Sequence, residues 1–205
     1  MKHIYKKGTD QQAPTLLLLH GTGGNEHDLL SIASMIDDTA NVLSVRGNVL
    51  ENGMPRFFKR LAMGVLDQED LAFRTKELYD YVNEAAKEYG FDSTNVVAVG
   101  YSNGANIAAN LVMTEKDCLA GAILYHPMIP NREAQIPDIS GLPIFIGAGE
   151  NDQMVPYEES RDLQQMLEAY GAHVSMHVEP YGHQLTGTEV DASKQWYTRH
   201  FKQSN

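Results

Sequence analysis

Short apolar runs alternate along the chain with longer segments whose apolar positions recur three and four residues apart. Thr15–Leu19 holds four consecutive leucines. That run is too short for a helix and apolar in both alternating phases, as expected of a strand buried on two sides in a parallel sheet. Residues 41–45, 95–99, 120–125, 143–147 and 173–179 read as further strands, and His3–Lys7 as an edge strand. Between them the 3.6-residue period predicts helices near 26–36, 69–89, 105–112, 157–170 and 189–202. In the second of these Leu71, Leu78, Val82 and Ala85 share one face. Alternation of strand and helix implies an α/β protein with a mostly parallel central sheet and helices on both faces. No repeat, low-complexity block or linker interrupts the pattern, and 205 residues with 42% hydrophobic content can bury one core, so a single domain over 1–205 is expected.

Charge narrows the choice of partners. Sixteen basic residues against 27 acidic ones leave a formal charge of −11, spread along the chain, which excludes nucleic acid as an expected partner. The same field disfavours anionic ligands at long range, but Arg56, Lys59 and Arg60 interleave with Phe57 and Phe58. Such a cluster could hold a carboxylate or phenolate against an aromatic wall, or could equally be a solvated helix face over two core phenylalanines. Cys118 is the single cysteine, so no internal disulfide forms, and a packing role in a reducing cytoplasm is expected. No basic, apolar and cleavable leader and no apolar run near 20 residues is present, so neither export nor a membrane span is expected.

Chemistry concentrates in three loops that follow predicted strands. Gly100-Tyr101-Ser102-Asn103-Gly104 joins the strand Asn95–Val99 to a helix rich in small residues. This is the pattern of a nucleophile elbow, where a serine sits on a strained turn between glycines that let chain segments pass closely. A serine hydroxyl needs a base, and the base needs an acid, which in this arrangement follow in the order Ser, acid, His. Asp152 follows the apolar run 143–146 in a loop closed by Pro156; Glu150 is a rival two residues away, and Asp138 lies before the strand, at the wrong edge. Asp152 could otherwise cap the next helix or shape a turn. Of eight histidines, His3, His173, His177 and His200 fall on strands or the last helix, and His20, His27 and His126 precede the acid. His183, in the Pro180-Tyr181-Gly182-His183 turn, is the expected base.

An oxyanion requires two N–H donors. The helix N-terminus after Ser102 offers Asn103, and the glycine-rich turn His20-Gly21-Thr22-Gly23-Gly24 after the second strand offers Thr22. A phosphate loop is excluded there, because no Gly-Lys-Ser/Thr ending follows and the dinucleotide glycine spacing is absent. His20 is expected to shape the turn by hydrogen bonding, and no clustered partner supports a metal.

Together His20–Gly24, Gly100–Gly104, Gly149-Glu150-Asn151-Asp152 with Val155-Pro156, and Gly182-His183 resemble the phospholipase/carboxylesterase branch of the α/β-hydrolases, which includes the acyl-protein thioesterases. Arg46–Phe58 and Gly182–Leu185 look closer to small bacterial carboxylesterases, some of which accompany hydroquinone or catechol ring-cleaving dioxygenases. The resemblance spans nearly the whole chain. It implies an α/β-hydrolase fold, a Ser102–His183–Asp152 triad without cofactor or metal, and cleavage of short-acyl or small aromatic esters. Asn103, where the thioesterases usually carry Gln, argues against long-acyl thioesters. Thioesterase and lysophospholipase activity, or a hydrolase-fold binding protein without catalysis, are the alternatives. A homodimer is compatible with this reading.

Only about 16 residues separate Tyr125 from Pro143, which leaves no room for a cap domain. An accessible cleft is expected, bounded by Met54, Phe57, Phe58, Met128, Met154 and Leu185. Loop 126–141 would supply its small wall.

Overall fold

A computed structural model describes residues 1–202. Eleven strands and five helices follow one another as β1 (His3–Lys6), β2 (Thr15–Leu19), α1 (Leu30–Ile36), β3 (Val42–Val45), β4 (Val49–Glu51), β5 (Met54–Arg56), β6 (Arg60–Ala62), β7 (Val65–Leu66), α2 (Gln68–Tyr89), β8 (Val96–Tyr101), α3 (Asn103–Thr114), β9 (Gly121–Tyr125), β10 (Pro143–Gly149), α4 (Tyr157–Ala169), β11 (His173–Glu179) and α5 (Gly187–Phe201). Seven strands make one sheet in the order β1-β3-β2-β8-β9-β10-β11. Within that sheet only the β1–β3 pair is antiparallel.

Strand alternation sorts the core into two layers. Leu17 and Leu19 of β2, with Val96 and Ala98 of β8, face a cluster completed by α2, α3 and α4. Leu16, Leu18, Val97 and Val99 face the opposite cluster, closed by α1 and α5 around Trp196 and Tyr197. A central strand apolar in both phases is therefore what the architecture demands. The long helix α2 begins where the Asp67 carboxylate accepts the Asp70 amide at 3.0 Å, and it ends at Gly90 in the left-handed region, φ 76°.

In-register parallel pairing brings the carboxyl ends of the strands to one edge. Leu19 lies beside Gly100, Tyr101 beside Tyr125, and Gly149 beside Glu179. The loops that leave those ends carry Thr22, Ser102, His126, Asp152 and His183, the edge at which open parallel sheets bind ligands.

Residues 49–66, to which the hydrophobic pattern assigns no element, form two small antiparallel hairpins, β4–β5 and β6–β7. Asn52 and Gly53 turn the first with φ of 52° and 78°, the pair of positive angles of a type I′ turn. These hairpins, more than loop 126–141, wall the cleft.

Candidate active site

The turn after β8 is tight because two glycines sit where no side chain fits. A Cβ on Gly100 would lie 2.6 Å from the Gly104 carbonyl oxygen, and one on Gly104 would overlap the Leu19 carbonyl and sit 2.6 Å from that of His20. Gly104→Ala is expected to destabilise the fold by about 3 kcal/mol or more, read as a fall in urea midpoint, since the obstruction is backbone and cannot rotate away. Between these glycines Ser102 adopts φ 53° and ψ −113°, a strained conformation for a residue with a Cβ, fixed by its amide bonding the Tyr125 carbonyl at 2.9 Å.

Ser102 Oγ lies 2.8 Å from His183 Nε2, and His183 Nδ1 lies 2.7 Å from Asp152 Oδ2. Asp152 is anchored through its other oxygen, Oδ1, which accepts the amides of Met154 and Val155 at 2.9 Å each. Burial opposes ionisation of Asp152. The Val155 amide, His183 and the Met154 amide outweigh it and hold the carboxyl below its ordinary range. Because Asp152 accepts from Nδ1, the neutral His183 ring carries its proton there and leaves Nε2 as an acceptor toward Ser102. Tyr101 donates its hydroxyl to the His183 carbonyl at 2.7 Å and so pins the loop after β11.

Glu150 is exposed, and its amide, not its carboxylate, is used, bonding Glu179. Asp138 is exposed before β10 and bonds Ser140. A fourth titratable group joins the cluster. His126 Nδ1 lies 3.1 Å from the same Asp152 oxygen that His183 uses. Sequence order had set His126 aside, although its place at the carboxyl end of a strand, just after Tyr125, was a signal for the same edge.

The turn at residues 20–24 is braced from two sides. His20 Nδ1 donates to the Gly21 carbonyl at 2.6 Å while Nε2 accepts the Gly47 amide at 3.0 Å, so this buried ring is neutral. Burial lowers its pKa accordingly. From the other side Gly23 donates its amide to Pro55 at 2.9 Å, and Arg56 Nη1 donates to Thr22 Oγ1 at 2.6 Å. Among the described residues neither the Thr22 nor the Asn103 backbone amide has an acceptor, and both residues border the cleft beside Ser102. The Asn103 side-chain oxygen takes the Phe57 amide at 2.8 Å, tying the helix start to the hairpin segment.

The cleft encloses about 370 Å³, and Met54, Met128 and Met154 line it with Arg56 and Arg60. Three of the residues expected there are elsewhere. Phe57 and Phe58 are buried in the core, 1% and 0% exposed, because the turn out of β5 points them into the layer beneath α2. Leu185 packs against the α1–α5 layer. Met63, Gly64 and Leu66 of the second hairpin take part instead. Of the basic cluster, Arg60 is bound by both Glu51 oxygens at 2.9 and 2.8 Å, and Lys59 is exposed. Arg56 is 3% exposed and forms no salt bridge among the described residues; burial pushes its pKa down to about 10, still a cation near neutrality.

The serine, imidazole and carboxylate stand in hydrogen-bonded series at the carboxyl edge of a parallel sheet, and the dienelactone hydrolase family model matches residues 52–197. The chain belongs to the dienelactone hydrolase family. The Bacillus cereus carboxylesterase structure superposes with a TM-score of 0.97 at 57% identity, covering 98% of this chain and 95% of that one. MhqD of Bacillus subtilis, which carries the name of a hydrolase, is 56% identical over 197 residues, 96% of this chain and 98% of its own. The structure of YahD with malic acid matches at 35% identity and a TM-score of 0.93, covering 97% of this chain and 98% of that one. This member of the dienelactone hydrolase family is therefore a hydrolase of carboxylesterase type, with an α/β-hydrolase fold. No helix among its described residues is long and apolar enough to cross a membrane.

Proposed function

We propose that the protein is a serine carboxylesterase that cleaves short-acyl or small aromatic esters through an acyl-enzyme. The observation that carries this reading is the continuous series Ser102 Oγ, His183 Nε2, His183 Nδ1, Asp152 Oδ2, with gaps of 2.8 and 2.7 Å, beside two backbone amides that have no acceptor among the described residues. Ser102 Oγ attacks the ester carbonyl carbon as His183 Nε2 takes its proton. The carbonyl oxygen becomes an oxyanion held by the amides of Thr22 and Asn103, each donor contributing about 3 kcal/mol of transition-state stabilisation. The C–O bond to the alcohol then breaks, and His183 returns the proton to the departing oxygen. Water repeats the sequence on the acyl-serine and regenerates Ser102.

Cleft dimensions support small substrates. Met54, Met128 and Met154 provide an apolar wall that adapts to either an acyl or an aryl group, and their cleft of about 370 Å³ lies near the lower end of ordinary ligand sites. The cytoplasm, suggested by the lone Cys118, and a homodimer are compatible settings.

Arg56 favours one refinement, an ester that also bears a carboxylate. A buried guanidinium without a carboxylate partner on a cleft wall is suited to such a group, and the YahD structure carries malic acid, a dicarboxylate. The test compares p-nitrophenyl butyrate, longer acyl homologues and the p-nitrophenyl half-ester of succinate. Short butyryl esters are expected to outpace chains of ten carbons or more, and Arg56→Met is expected to lower kcat/KM for the half-ester at least tenfold more than for the butyrate. Preference for long chains or for an acyl-thioester would turn the assignment toward the thioesterase or lysophospholipase alternatives. An equal loss on both short esters would reduce Arg56 to a brace for Thr22.

A further inference from the structure

Behind the triad acid lies a buried pair that the acyl-transfer steps do not use. His126 follows β9 in the left-handed region, φ 55°, with its amide bonded to the Gly147 carbonyl at 2.8 Å and 3% of its surface exposed. Its Nδ1 reaches Asp152 Oδ2 at 3.1 Å, and its Nε2 lies 3.0 and 3.1 Å from the two oxygens of Glu189. Glu189, in the first turn of α5, is 1% exposed, and its carboxylate has no other hydrogen-bond partner among the described residues. Gly147 leaves the space: a Cβ there would overlap that carboxylate and lie 2.8 Å from Glu189 Cδ. A glycine in the middle of a buried strand thus accommodates an acid in the core.

Hydrogen-bond accounting fixes the protons. Asp152 accepts two amides and the His183 ring, which hold its carboxyl below the ordinary range and so anionic near neutrality, and the contact from His126 Nδ1 is then a fourth donor. One further proton therefore lies between His126 Nε2 and Glu189. Both carboxylates favour the charged ring, and they hold the His126 pKa above its ordinary value against the opposing effect of burial.

We propose that His126 and Glu189 are positioning residues, a buried imidazolium–carboxylate pair that aims Asp152 Oδ2 at His183 and places a positive charge behind the catalytic base, so setting the pH at which hydrolysis begins. The proposal rests on the triad reading above. The two imidazole rings lie 5.4 Å apart, centroid to centroid. Like charges at that range repel, so a charged His126 ring opposes a second cation beside Ser102. The other groups facing these rings are the Tyr101 phenol, whose hydroxyl bonds the His183 carbonyl, and Ser102. Glu179, the neighbouring acid on β11, is bonded to His177, Thr186 and Thr188. No lysine or arginine pairs with Asp152 or Glu189 among the described residues.

The test is the acid limb of the pH profile of kcat/KM for p-nitrophenyl butyrate, which reports the base of the free enzyme. Glu189→Gln keeps shape but removes the anion that keeps His126 charged, and His126→Gln removes the ring. Both are expected to move the limb upward by about one pH unit with a plateau within roughly tenfold of the parent, because each removes the cation whose ring lies 5.4 Å from that of His183. An unmoved or lowered limb in a folded variant overturns the proposal, even where the plateau falls. The unmodified protein gives a second reading: nitrogen-15 NMR of His126 is expected to show both ring nitrogens protonated at pH 7, and a singly protonated ring overturns it. Failure here leaves the triad intact so long as Ser102→Ala remains inactive, and an active Ser102→Ala would instead remove the triad reading beneath it.

Discussion

Ser102→Ala is expected to lower kcat/KM for p-nitrophenyl butyrate by about 10⁵- to 10⁶-fold, the loss associated with removing a nucleophile that works as a unit with its base. Stability should hardly change. The substitution removes one hydroxyl and its 2.8 Å bond to His183, a net effect of about 1 kcal/mol, and alanine inherits the same φ of 53° and the same amide bond to Tyr125. Residual catalysis would come from the Thr22 and Asn103 amides and from substrate binding alone. A fluorophosphonate probe should label the parent and leave the variant unlabelled. A folded variant that still turns over the ester at near-parent rates would remove Ser102 from the mechanism, and an unlabelled, inactive parent would point to a hydrolase-fold binding protein.

How far such a site can be read from sequence depends on whether its residues are placed by local pattern or by tertiary contact. Ser102 and Asp152 follow short apolar strands and His183 an alternating one, and all three sit in glycine- or proline-marked loops, so chain order and strand ends alone bring them to one edge. Strand β2 and strand β11 fall at their expected limits, since apolar alternation ends sharply at His20 and Pro180. Helix α1 starts at Leu30, later than the expected 26, because Asn25 draws the amides of His27 and Asp28 into a turn. Hairpins β4–β5 and β6–β7 escaped because strands of two or three residues carry almost no periodicity, although Asn52-Gly53 is a strong turn signal. Phe57 and Phe58 could not be told from cleft residues by type, since aromatic side chains serve both places. Glu189 is the hardest case: an acid in the first turn of a helix ordinarily faces water and the helix dipole, and only the gap at Gly147 shows why this one is buried.

Asp152→Asn is expected to lower kcat by about 10⁴-fold with little loss of structure, the magnitude found when a triad acid becomes an amide. The geometry explains why a change of one atom costs so much. Because Oδ1 accepts the Met154 and Val155 amides, asparagine must keep its carbonyl oxygen there and turn its NH₂ toward His183 Nδ1 and His126 Nδ1. Two donors then face each other. His183 relieves this by moving its proton to Nε2, and in that tautomer the nitrogen beside Ser102 cannot accept the hydroxyl proton. Glu150→Gln provides the contrast, since that side chain is exposed and its backbone amide, which bonds Glu179, is unchanged; kcat should stay within about twofold, as for an ordinary surface substitution. Were Glu150→Gln the damaging change and Asp152→Asn the silent one, the carboxylate that orients His183 during turnover would have to come from the loop after β10 in a different conformation, and the tautomer argument would fail with it.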